Sequence, residues 1–481
     1  MWLDYQLTII FACVMILTGC AASESTAGPT PTEAPTPSAT PQQLATPTAT
    51  ANPTSTPTAS PTEPPPDPTA TPTSIPPTVS LTSTLSALAF YPTNQRPDGN
   101  RFVPGQGRLP DSSPIDIPLA GEPTWVVGAP AAGGNTVWTV TLADGRVQAF
   151  RVTPAGSVES VDLAPAQLPP GMPLLLVMVG QTPSLLMPAA DDFSPLTHPV
   201  PLSPPNRLAY ITAGGGLVIE SEGGTTALDV TPLPDARILV DEQERLLLLT
   251  GPSTLYPHAV LADNLEATGI TLIETRPIPR VVTTIPIPEP SVVEGIAPIW
   301  ADLTGDGVRE IIVTLSNADQ GSQLVVFSEA GDQIAAGPAV GQGNRWRHQI
   351  AVAPFGLAGE LELADVLTPH LGRITEFFQL DDNALEVVAT VSGYTSHRLG
   401  SRNLDSAAAG DFDGDGRVEL LIPNPDFTAL AALRRTADGA DVAWTVPVDS
   451  IIATNLTVVT AEDGHLSVGV GRVDWVLRVW P

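Results

Sequence analysis

The sequence predicts an all-β fold, and three observations carry that reading. Apolar runs are short and broken by turn residues throughout the second half and most of the first. Asp-Gly turns recur between pairs of such runs, the commonest short signal for a hairpin. No stretch keeps a long period-3.6 apolar pattern, which an amphipathic helix would need. With 53 Pro and 40 Gly in 481 residues, helix interiors would be interrupted repeatedly.

The chain opens on an apolar run, residues 7–18. It is about 12 residues long, short of the ~20 that a spanning helix needs, and has the length of a signal-peptide core. Leu17-Thr18-Gly19-Cys20 follows. It resembles the lipobox of bacterial lipoproteins, whose cysteine is lipidated and becomes the mature N-terminus. One feature departs from that pattern: residues 1–6 carry no Lys or Arg, where such signals are positive. Residues 1–19 are read as a lipoprotein signal peptide and Cys20 as the lipidation site. The other cysteine is Cys13, so everything beyond Cys20 has no disulfide, thiolate metal site or cysteine nucleophile.

Residues 20–80 are mostly Thr, Pro, Ala and Ser. Pro removes backbone donors, and there is little apolar surface to bury, so ordering is not compensated. This stretch is expected to be a disordered, extended tether.

Strands are expected from residue 81 onward. Residues 137–141 and 147–150 flank Ala143-Asp144-Gly145 as a hairpin. Similar turns stand at Ala437-Asp438-Gly439 and Glu462-Asp463-Gly464. Further strands are expected at 174–179, 246–249, 324–327, 384–391 and 476–480.

The stretch Asp411-Phe412-Asp413-Gly414-Asp415-Gly416-Arg417-Val418-Glu419 offers oxygen ligands at positions 1, 3, 5 and 9. A second copy offers Asp302, Thr304, Asp306 and Glu310. Calcium takes six to eight oxygens at about 2.3–2.6 Å. Glycines at the fourth and sixth places let the backbone coil tightly enough to bring them together. An EF-hand would need a bidentate Glu at position 12, and Val313 and Ile422 stand there. Each ninth-position Glu instead runs into an apolar strand, Ile311-Ile312-Val313 or Leu420-Leu421-Ile422. This arrangement resembles the FG-GAP/VCBS repeat, the calcium loop of integrin-α-like β-propellers. The resemblance implies Ca2+ as the bound ion and a propeller of four-stranded blades. Aspartates at 263, 302, 365 and 411 follow small or apolar residues at roughly 40- to 60-residue spacings, fitting one blade each. Asp241 offers a further mark. About seven blades are expected over residues 81–481, with the Asp365 blade lacking an ion because Pro369 and Arg373 replace acids.

The formal charge is −30, and all 21 basic residues are Arg. So acidic a chain has no electrostatic footprint for nucleic acid. No nucleophile elbow, HExxH motif, P-loop or dinucleotide fingerprint is present. Arg345, Arg347, His348, His370, His397 and Arg402 lie near expected strand starts, where propeller loops converge. They are candidates for a polar ring that binds a ligand in the central channel. The expected function is a membrane-anchored, extracytoplasmic, monomeric calcium-binding propeller that binds an extracellular protein or glycan. The alternative is a carbohydrate-active enzyme, a lyase or glycoside hydrolase, acting in that channel.

Overall fold

The computed structural model describes residues 88–481 apart from 95 and 204–206. The signal peptide, Cys20 and the Pro/Thr tether lie outside the described residues. Those residues form strands with two short 3-10 turns, Leu109–Asp111 and Ala132–Gly134, and no α-helix among them.

Among the described residues hydrogen bonds join the strands into six sheets, one of them a 13-strand run that divides into three four-strand groups, which makes eight groups in all. In chain order, the first is Pro123–Ala131, Asn135–Leu142, Val147–Val152 and Val158–Val161. The second takes Leu88–Phe90 from the N-terminal segment and pairs it with Leu176–Val179, next to Thr182–Leu185. The third runs from Val200–Leu202 to Gly224–Leu228. The fourth, fifth and sixth begin at Leu239–Val240, Ile299–Ala301 and Arg347–Ala353. Single residue pairs, Ala267 with Val293 and Ala336 with Ala384, link these three into one hydrogen-bonded run. The seventh is Ala408–Asp411, Glu419–Pro423, Ala429–Thr436 and Gly439–Pro447. The eighth combines Ile452–Thr460, Leu466–Arg472 and Val476–Trp480 with the distant strand Ile115–Pro118. The N-terminal segment supplies strands to three of these groups, the second, seventh and eighth, which spacing alone does not show.

Apolar clusters fill the seams between successive sheets. Trp138 of the first and Val459 of the eighth belong to one cluster, which closes the ring. The contact is close: a Cβ on Gly128 would meet Val459 Cγ2 at 2.2 Å. Strand alternation feeds two seams at once. Leu420 and Ile422 pack toward the sixth sheet, whereas Leu421 packs toward the eighth. This explains the unbroken apolar runs of such inner strands, since both of their faces are buried. The architecture is β-propeller-like.

First strands of neighbouring sheets touch as they converge on the axis. The N-terminal segment fills that axis. Residues 91–94 and 98–101 are buried, and their partners come from five sheets. Val458 donates its N–H to Asn94, Trp300 to the Asp98 carbonyl and Val240 to the Pro97 carbonyl. Val352 donates to Asn100, and Ala409 to the Arg101 carbonyl. Only a segment running along the axis reaches all five. Gly99 is required there: its φ is +74°, and a Cβ would meet the Pro298 carbonyl oxygen at 2.4 Å. Phe102–Gln106 then runs parallel to Ala408–Asp411.

Candidate functional site

The two acidic loops join first to second strands, in the fifth and seventh sheets. Asp411 ends its strand and Glu419 begins the next. Asp411 Oδ1 accepts the Gly414 N–H at 2.7 Å, and Oδ2 accepts the Gly416 N–H at 3.0 Å. These bonds coil the loop, with Gly414 and Gly416 at φ +77° and +87°. Carboxylate oxygens of Asp411, Asp413 and Glu419 consequently lie within 4.8 Å of one another. Such a triad can hold a metal ion. Glu419 is buried, its Oε2 accepts the Phe412 N–H at 2.9 Å, and burial pushes its carboxyl up to about 8. Asp415 is not part of the triad; its carboxylate pairs with Arg434.

The Asp302 loop repeats the coil. Asp302 accepts the Gly305 N–H at 2.6 Å and the Gly307 N–H at 2.9 Å, and Glu310 Oε2 accepts the Leu303 N–H at 2.7 Å. The Thr304 hydroxyl lies 3.4 Å from both Asp302 and Glu310, while Asp306 accepts the Val308 N–H at 2.7 Å. Burial raises the Glu310 carboxyl.

Of the other aspartates, Asp241 does follow a first strand, where it accepts the N–H groups of Gln243 and Arg245. Asp365 lies instead within the second strand Glu362–Leu367, and Asp263 lies between the second and third strands of the fourth sheet. Their local residues imitate the end of a first strand without occupying that place.

The expected Arg/His ring sits at the other end of the ring of sheets: Arg347 and His348 open the first strand of the sixth sheet, and the others lie in loops that enter first strands or join second to third. It does not line an open channel, because residues 91–94 and 96–101 fill the axis and most of the six side chains are engaged. Arg347 is buried and bridges Asp365 at 3.0 Å and Glu376. Arg402 bridges Asp235 at 2.9 Å and Asp263 at 2.7 Å. His397 Nε2 lies 2.6 Å from the Ser401 carbonyl, and its Nδ1 lies 2.7 Å from His370 Nε2. A carbonyl only accepts, so His397 carries its proton on Nε2 and receives one from His370. Burial lowers both imidazoles to about 4. His348 is buried, with Nδ1 2.7 Å from Ser396 Oγ, and it stacks on Trp346 at 4.8 Å between ring centroids. Arg345 alone of the six is exposed.

Sequence reasoning missed a carboxylate group beside this ring. Glu294 is buried between His258 Nδ1 and the Ser316 hydroxyl. Glu266 is buried and accepts the Gly295 N–H at 3.2 Å. Burial, helped by the charge of Glu294, pushes the Glu266 carboxyl up to about 9. The available signal was a lone Glu opening the long strand Glu266–Glu274.

At the axis, Arg101 and Arg237 converge on Asp405, all three being buried. Burial alone would raise the Asp405 carboxyl, but the two guanidiniums hold it well below the usual carboxylate range.

No protein-family model matches the chain, and no curated protein matches it either. Among solved structures, a europium-containing methanol dehydrogenase is similar at 10% sequence identity with a TM-score of 0.48, covering 79% of this chain and 89% of that one.

Proposed function

We propose that this chain is an extracytoplasmic propeller, anchored through a lipid on Cys20, that binds a protein or glycan on its exposed loops. The acidic loops, similar to FG-GAP/VCBS repeats, take calcium as a structural staple. The Pro/Thr stretch holds the domain off the membrane.

The filled axis carries this reading. A channel enzyme needs a path for substrate and a reacting pair of carboxylates beside it. Here residues 91–94 and 96–101 occupy the axis, and Glu266 and Glu294 are 3% and 0% exposed. Recognition is left to the outer loops. Leu371 and Leu399, at 81% and 66% exposure, flank the joined His370–His397 pair with Arg345 exposed on the same end.

The test is to immobilise the mature protein and present purified cell-wall polysaccharides and extracellular matrix proteins, following binding and depolymerisation together. Saturable binding without release of reducing ends or unsaturated sugars supports the reading. Turnover of any polysaccharide overturns it in favour of the enzyme.

A further inference from the structure

In the Asp411 loop a side chain from outside the loop enters among the expected ligands. Leu420 lies opposite Leu433, so the next residue along, Arg434, faces Glu419. Arg434 Nη1 lies 3.3 Å from Glu419 Oε1 and 3.5 Å from Asp413 Oδ2, and it pairs most closely with Asp415. One guanidinium nitrogen thus contacts three of the four carboxylates. Trp444 Nε1 donates to Asp413 Oδ2 at 3.0 Å and engages that oxygen as well.

The Asp302 loop has no such visitor. Ile311 lies opposite Phe327, which places Ser328 where Arg434 stands in the other loop. The Ser328 hydroxyl accepts the Asp332 N–H at 3.1 Å. Arg309, next to Glu310, turns away to Asp98, the Trp300 carbonyl and Glu242. Among the described residues, no salt bridge ties Asp302, Asp306 or Glu310 to a cation.

We propose that Arg434 is a resident cation that competes with a divalent metal for the Asp411 loop, so that the Asp302 loop fills first although it has one carboxylate fewer. This rests on reading both loops as metal sites. A guanidinium keeps its charge at any working pH. A metal entering the triad meets that charge within a few ångströms and must displace Nη1 from Glu419 and Asp413. Ligand charge sets affinity in oxygen sites, and Arg434 removes part of it in advance. Its side chain is 19% exposed and lies near the end of the strand Ala429–Thr436, so it can swing out once a metal wins.

The experiment strips the mature protein with chelator and titrates calcium calorimetrically, with terbium luminescence as a second readout. Wild type, Arg434→Met, Asp306→Ala and the double variant Asp306→Ala with Arg434→Met are compared. The expected result is that Asp306→Ala removes the tighter site and Arg434→Met tightens the weaker one by about tenfold or more, a gain that persists in the double variant. If Arg434→Met binds as wild type or more weakly while wild type binds calcium, Arg434 does not compete, and the metal reading stands without it. If neither wild type nor Arg434→Met binds metal, the metal reading itself fails and takes the proposal with it. Should Arg434→Met not fold, terbium-soaked wild-type crystals decide. Anomalous density in the Asp302 loop with Arg434 seated supports the competition, and density in the Asp411 loop with Arg434 still on Glu419 overturns it.

Discussion

Arg101 Nε donates to Asp405 Oδ1 at 3.1 Å across 304 residues of sequence. Arg101 belongs to the segment that fills the axis, and Asp405 to the loop leading into the seventh sheet. Arg237, before the fourth sheet, donates to both oxygens of the same carboxylate. One buried acid therefore ties the axial segment to two sheets.

Removing that acid leaves two buried guanidiniums without their counterion. Asp405→Ala is expected to cost roughly 3–5 kcal/mol of stability, as for other broken buried ion pairs. Asp263→Ala, which removes a partly exposed ion pair with Arg402, is expected to cost about 0–1 kcal/mol, as such pairs do. Chemical denaturation of both variants gives the comparison. Equal midpoints would show that the axial ion pair does not hold the ring.

Gly99→Val probes the same segment by shape. The new Cβ has no room beside the Pro298 carbonyl and Leu239, and the backbone sits at φ +74°. A large loss of melting temperature is expected, whereas Gly359→Val, also at positive φ but with nothing within 4 Å of its Cβ, is expected to show only backbone strain. Matching losses would mean that the segment does not pack at the axis.

The buried titratable groups predict a pH profile. His370 and His397 drop from 6.5 to about 4 in the fold. Between those values the unfolded chain binds the protons and the folded one does not, so stability is lost as pH falls through that window. Glu266 rises from 4.5 to about 9. There the folded state keeps a proton that the unfolded state releases, so stability is lost as pH rises from 4.5 toward 9. Glu419, raised to about 8, adds to the alkaline loss and His198, lowered to about 4, to the acid loss, so stability is expected to form a dome whose alkaline limb lies above about pH 6.5. Melting temperatures from pH 4.5 to 9 should show this dome, and Glu266→Gln should flatten its alkaline limb. An alkaline limb that is unchanged in Glu266→Gln contradicts the assignment.

Much of this fold was legible in the sequence because the signals were local. Asp144-Gly145 does join two strands, with Gly145 at φ +84°, and Val476–Trp480 matches its expected bounds. The coiled acidic loops were legible for the same reason, since spacing and glycine fix their backbone. Contacts over long separations were not. Nothing near Ile115–Pro118 shows that it pairs with Val476–Trp480, or that residues 91–94 and 96–101 fill the axis. Nor does the Asp411 loop itself reveal Arg434, which arrives from a neighbouring strand. Asp365 misled because Leu363-Ala364-Asp365 copies the residues of Trp300-Ala301-Asp302 in a different strand.

For the N-terminus, the proposed lipid on Cys20 predicts that Cys20→Ser moves the protein from the membrane pellet to the soluble extracytoplasmic fraction. Unchanged sedimentation with membranes contradicts a lipid on Cys20.

The most direct test is a calcium titration of melting temperature on chelator-stripped protein, with wild type, Asp306→Ala and Asp415→Ala side by side. A ligand that binds only the folded state stabilises it by RT ln(1 + [L]/Kd), and extracellular calcium modules work at about 10⁻⁴–10⁻³ M. Millimolar calcium is expected to raise the wild-type melting temperature. Asp306→Ala is expected to lose most of that gain and Asp415→Ala little of it, since Asp415 is already paired with Arg434. A stripped wild type that melts at the same temperature with and without millimolar calcium would contradict the staple.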